Sequence, residues 1–64
     1  KMKVAGIGSK IYLKGRNWEV TAVVVDQITL KTIYQKDKGL KEMKLSFHDF
    51  ESLLGKKKLV VLDT

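Results

Sequence analysis

Cysteine is absent from this 64-residue chain. No disulfide and no thiolate metal site can brace it, so a hydrophobic core must hold a domain near the lower size limit for independent folding. The same absence fits a reducing, cytoplasmic setting. No apolar run approaches the roughly 20 residues of a membrane-spanning helix. No signal-peptide pattern opens the chain, and the start at Lys1 reads as that of a trimmed chain. Nucleophile motifs such as Gly-x-Ser-x-Gly are missing. Gly6-Ile7-Gly8 is followed neither by a Lys-Ser/Thr pair nor by a long helix, which excludes a P-loop. His48 is the one histidine. With no second histidine and no cysteine to converge on it, it reads as an exposed helical residue rather than a metal ligand or general base. Asp49 and Glu51 fall on different sides of the same helix and make a poor acid–base pair. No catalysis and no cofactor are expected. Internal repeats, low-complexity tracts and linkers are missing too, so the chain reads as one domain over residues 9–64 behind a flexible lead-in, residues 1–8, with Val4 or Ile7 tucked against it.

What the chain has in excess is positive charge. Thirteen Lys and Arg stand against seven Asp and Glu, a net charge of +6. Lys1, Lys3, Lys10, Lys14 and Arg16 precede any acid. Lys36, Lys38, Lys41 and Lys44 surround only Asp37 and Glu42, and Lys56, Lys57 and Lys58 stand together. A basic face attracts phosphate backbones through counterion release. Lysines also keep small β-domains dissolved and guard their edges.

The hydrophobic pattern is mostly that of strands. Residues 10–13 place Ile11 and Leu13 on one face, and Lys14-Gly15-Arg16-Asn17 reads as a turn. Residues 18–25 alternate, with Trp18, Val20, Ala22 and Val24 on one face. The alternation fails at Val23 and Val25, as it would in a strand end buried on both sides. Asp26-Gln27 is the next turn. Residues 28–35 and 40–45 each shift phase, at Ile33 and at Leu40, which predicts a bulge or bend near Lys31-Thr32. Lys36-Asp37-Lys38-Gly39 turns between them. Ser46 is an N-cap, and Leu45 and Phe50 form a hydrophobic staple. Phe47, Phe50, Leu53 and Leu54 line one helix face, with Gly55 placed as C-cap. Leu59-Val60-Val61-Leu62 is a last, wholly apolar strand.

That order, four strands, a short helix and a strand, predicts a mainly β fold: a small five-stranded antiparallel barrel whose open end the helix plugs. An open barrel of the oligonucleotide-binding type is the alternative, but it usually carries its helix after the third strand. Val23, Val25 and residues 59–62 offer more apolar strand than one inner face buries. A bent monomer is preferred over a homodimer, because the phase shifts independently require bending.

Lys10, Tyr12, Lys14, Arg16, Lys31, Tyr34, Lys36 and Lys38 are the candidate nucleic-acid-binding residues. Tyr12 and Tyr34 are out of phase with the core and could stack bases among these cations. Trp18 could stack as well, but its phase assigns it to the core. The protein is expected to be a non-enzymatic module that contacts nucleic-acid backbone, with protein–protein interaction or scaffolding as the alternative.

Gly8-Ser9-Lys10-Ile11, then Gly15, then Trp18-Glu19-Val20, resembles the opening of Src-homology-3-like small barrels, including those attached to transposases and integrases of mobile elements. The short helix over residues 46–54, before the last strand, is similar as well. The acidic and aromatic loop residues with which peptide-binding members grip Pro-rich ligands are not found here. The resemblance implies the fold first, and nucleic-acid contact second.

Overall fold

The computed structural model describes residues 6–36 and 38–62. Five strands and one helix follow in chain order: β1 (Lys10–Leu13), β2 (Arg16–Val24), β3 (Gln27–Thr32), β4 (Glu42–Ser46), α1 (Phe47–Gly55) and β5 (Leu59–Val61). The strands form one antiparallel sheet in the order β4-β3-β2-β1-β5. Strands β4 and β5 are its two edges and are not paired with each other, so the sheet is open rather than a closed barrel. Helix α1 packs against β3, β4 and β5. It carries the chain from the end of β4 to the start of β5, which therefore run in the same direction.

The core lies between the sheet and this helix. Ile11, Leu13, Trp18, Val20, Ile28, Leu30, Phe50 and Leu59 are buried in one cluster, and Val23, Met43, Leu45, Phe47, Leu53, Leu54 and Val61 pack around it. The apolar face read from the helix is the face that docks. Trp18 belongs to the core, and its indole N–H donates to the Leu13 carbonyl at 2.9 Å, which satisfies the one polar group it brings inside.

Both tight hairpins turn one residue or more earlier than the sequence indicates. Leu13 pairs with Arg16, so Lys14-Gly15 is a two-residue turn and Arg16 and Asn17 already belong to β2. Both turn residues have positive φ, 54° and 77°, the backbone that matches strand twist in such hairpins. Val24 pairs with Gln27, so the second turn is Val25-Asp26, and Val25 takes φ 55°. A β-branched residue there is strained. Val25 is also 90% exposed, so the strand end is not buried on both sides.

The break in alternation has a different cause. The β2–β3 register slips between Val20 and Ala22, a bulge that leaves Thr21 extra. Beyond it Val23 faces the core and Val24 faces solvent. The bulge is therefore in β2, not near Lys31-Thr32. β3 alternates without interruption, with Ile28, Leu30 and Thr32 all buried. Its apparent phase shift at Ile33 is the strand ending, and Leu40 is out of phase because it lies in the loop before β4.

The helix starts as expected. The Ser46 hydroxyl accepts from the Asp49 amide at 3.0 Å, and the Phe47 amide donates to the Asp26 carbonyl at 2.7 Å. Its end differs. Gly55 is the last helical residue, and the left-handed position falls on Lys57, φ 61°. Lys57 N–H donates to Leu54 O and Lys58 N–H to Leu53 O, the paired bonds of a Schellman cap with lysine where glycine is usual. In the lead-in, Val4 lies outside the described residues and Ile7 is exposed. Gly8 and Ser9 are nonetheless fixed, exchanging backbone bonds with Val20 at 2.9 and 3.0 Å. At the other terminus the Leu62 amide donates to the Lys10 carbonyl at 2.8 Å.

A left-handed non-glycine residue costs about 1–2 kcal/mol, and glycine returns roughly half of that as backbone entropy. Val25→Gly and Lys57→Gly should each stabilise the domain, by up to about 1 kcal/mol in urea denaturation. Val25→Lys should leave it folded, within about 0.5 kcal/mol of the parent.

Candidate nucleic-acid interface

The antiparallel register decides where each cation goes. Chain direction puts the end of β1, the starts of β2, β4 and β5, and the end of β3 at one end of the sheet. That end carries the Lys14-Gly15 turn, Arg16, the loop of residues 33–41 and the segment 56–58. Leu13 pairs with both Arg16 and Leu59, so the turn at Lys14 and the triplet Lys56, Lys57, Lys58 adjoin across β1 and β5. Lys14, Arg16, Lys36, Lys38, Lys41, Lys56, Lys57 and Lys58 thus gather at one end, eight of the thirteen cations. Among the described residues, Glu42 is the carboxylate there. The opposite end carries Asp26 in its turn and Asp49 and Glu51 on the first half of α1. The two ends of the sheet thus differ in charge.

The candidate residues divide between this end and the outer face of the sheet. Lys14, Arg16, Tyr34, Lys36 and Lys38 lie at the basic end. Lys10, Tyr12 and Lys31 lie on the outer face, where the register aligns Lys10 with Glu19, Glu19 with Lys31, and Lys31 with Glu42. Opposite charges directly across strands stabilise a sheet by about 0.2–1 kcal/mol. They also cancel the field that a phosphate would meet. Lys10 further donates from Nζ to the Gly8 carbonyl at 3.3 Å. Tyr12, half-exposed, faces Asn17 on one side and Val60 on the other. It is part of an apolar strip with Val60 and Leu62, not of a cationic platform. Lys41, Lys56, Lys57 and Lys58 form charge runs in the sequence, but only the pairing of β1 with β5 brings the triplet 56–58 beside Lys14, and only the contacts of Lys41 with Thr32 bring Lys41 to the same end.

The loop of residues 33–41 is anchored at its base, and the described residues toward its tip are exposed. Thr32 is buried; its hydroxyl accepts from the Lys41 amide at 2.8 Å, and its own amide donates to the Lys41 carbonyl at 2.9 Å. The Ile33 amide donates to Asn17 O at 3.0 Å. A bridge joins Gln35 and Lys38 nearer the tip. Tyr34 is 76% exposed, and Lys36, Lys38 and Leu40 are exposed as well. A shallow concavity of about 260 Å³ beside the loop is lined by Lys31, Thr32, Leu40, Lys41 and Glu42. From the facing strand, Arg16 Nη1 donates to the Gly39 carbonyl at 2.7 Å. His48 stands exposed on α1, away from this end. Among the described residues no group of His, Asp and Glu converges as a metal site, and no helix is long and apolar enough to cross a membrane.

The chain matches no protein-family model, no curated protein and no solved structure. The arrangement of its own residues is what speaks to its role.

Thr32→Val removes the acceptor of the Lys41 amide while keeping the side chain's shape. It should cost about 1 kcal/mol and accelerate hydrogen exchange at Lys41 ahead of the core amides.

Proposed function

We propose that the protein is a non-enzymatic module that binds nucleic-acid backbone through the basic end of its sheet. The observation that carries this reading is the gathering of Lys14, Arg16, Lys36, Lys38, Lys41 and the triplet 56–58 at one end, with exposed Tyr34 among them. A cluster of one sign raises the local potential and attracts polyanions far more than the same charges dispersed. Tyr34 adds a π-face on which a base can stack, sequence-tolerantly. Two of these lysines, Lys14 and Lys57, occupy left-handed backbone positions, where glycine or asparagine is easier.

The fold belongs to the same proposal. The strand order, with β1 between β2 and β5 and a helix before the last strand, supports a Src-homology-3-like small barrel of the kind attached to transposases and integrases. In that reading α1 fills the gap between the edge strands. We place the protein in the cytoplasm as a monomer. A second reading, protein–protein interaction, is favoured by one observation: Tyr12, Val60 and Leu62 form an apolar strip along the edge strand β5, where a partner strand or surface could sit. A stable protein partner whose binding is lost in Val60→Lys, with no affinity for nucleic acid, would select it.

Single- and double-stranded DNA and RNA, titrated at low and moderate salt, test the proposal. Binding to at least one should weaken steeply as salt rises, with log affinity linear in log salt. Replacing Lys56, Lys57 and Lys58 by alanine should flatten that slope and weaken all sequences alike. The pair Lys10→Ala and Lys31→Ala should change the slope less, since Glu19 and Glu42 already offset those charges. No binding at low salt would refute the proposal. Lys57→Gly offers a further separation: it should raise stability yet lower affinity, by removing a charge together with the strain.

A further inference from the structure

The basic end holds one group whose hydrogen bonding is incomplete. Arg16 donates from Nη1 to the Gly39 carbonyl, while its Nε and Nη2 are shut off from solvent and have no partner. Buried donors are nearly always satisfied, and a cationic donor left bare is among the costliest exceptions. The two bare nitrogens are not an arbitrary pair. Nε–H and the Nη2 hydrogen on the same side of the planar guanidinium point in parallel, and together they are the fork that grips two oxygens of one phosphate or carboxylate. Nη1, on the other side, is the atom engaged by the loop.

The bond that holds Arg16 in place is lightly supported. Arg16 Nη1 donates to Gly39 in the loop of residues 33–41, and the described residues 34–36 and 38–42 of that loop and its exit are all exposed. Segments with so little buried surface open locally at small free-energy cost. Lys14, Lys36, Lys38 and Lys41 share this end of the sheet with Glu42, so an anion approaching it meets a net positive charge.

We propose that the Nε–Nη2 side of Arg16 is a bidentate phosphate-binding fork, made accessible when the bond from Arg16 Nη1 to the Gly39 carbonyl opens. The proposal rests on the reading of the basic end as a nucleic-acid interface and assigns to it a single specific contact among diffuse ones. The phosphodiester is favoured over a peptide carboxylate because the cations around the fork match a chain of regularly spaced anions rather than one. Phosphate completes the two missing hydrogen bonds, and the free state's unsatisfied donors make that exchange favourable. The remaining lysines contribute by charge alone and are interchangeable with one another; Arg16 is not.

The test uses the full chain and two readouts. In the first, a short oligothymidylate is titrated against the parent, Arg16→Lys and Arg16→Ala, with urea denaturation confirming that each variant is folded. Lysine keeps the charge and removes the fork, so Arg16→Lys should lose at least about tenfold in affinity, close to the loss in Arg16→Ala. Affinity of Arg16→Lys within about twofold of the parent would overturn the proposal, since charge alone would then suffice. The second readout needs no variant: the Arg16 Nε–H resonance of the native protein during titration with the oligonucleotide and, separately, with inorganic pyrophosphate. A shift of that resonance, together with changes in the amides of residues 38–41, supports the fork and its release from Gly39. An unmoved resonance in both titrations refutes them. If the oligonucleotide does not bind while pyrophosphate moves the resonance, the nucleic-acid reading fails and the phosphate site stands. If only a polyglutamate peptide moves it, the fork is a carboxylate site and the phosphate assignment is wrong.

Discussion

Phe50 is the residue on which the rest of the structure depends. It is buried in the one cluster that all five strands and the helix share, and α1 reaches β3, β4 and β5 at once. A sheet with two open edges cannot bury both of its end strands by hydrogen bonding alone. The helix face Phe47, Phe50, Leu53 and Leu54 closes the core where the sheet does not, bringing Met43 and Leu45 from one edge strand into the same apolar environment as Leu59 and Val61 from the other. A nine-residue helix is too short to persist by itself. It exists because this face is buried and because Ser46 caps it. Sheet and helix thus stabilise each other, as a domain this small and without disulfides requires.

Much of this was legible because it is local. The N-cap at Ser46, the helix face, β1 and the alternation of Trp18 and Val20 each follow from residues a few positions apart. The errors cluster where a residue adopts a backbone that its type disfavours. Lys14, Val25 and Lys57 take left-handed angles, whereas Asn17 and Gly55 are the residues whose type suggests a turn and a helix end. The first turn is therefore two residues shorter than the sequence suggests, the second falls one residue earlier, and the helix cap falls two residues later. The bulge was missed for another reason. The slip at Thr21 leaves Val20 and Val23 inside and Val24 outside, and a run of apolar residues hides a change of phase that a polar residue would have revealed.

The candidate site was legible as composition but not as geometry. Basic runs at residues 14–16, 36–41 and 56–58 are plain in the chain, yet nothing local says that they meet. Their convergence follows from the pairing of β1 with β5 across most of the chain's length, and from the Arg16–Gly39 bond across 23 positions. The same register removes Lys10 and Lys31 from the cluster by setting carboxylates opposite them. Charge counted along a sequence overstates the charge a ligand meets, because a sheet can fold opposite charges into a ladder. It also understates it, because distant turns can share one end.

The Leu62–Lys10 hydrogen bond has a consequence for how the domain can be held. It joins the first strand's beginning to the last strand's exit, so the chain comes in and goes out side by side, at the end away from the cationic turns. The sheet is therefore entered and left on the same side, like a loop of cord tied at its neck, and the end that gathers Lys14, Arg16 and the triplet 56–58 is the one opposite.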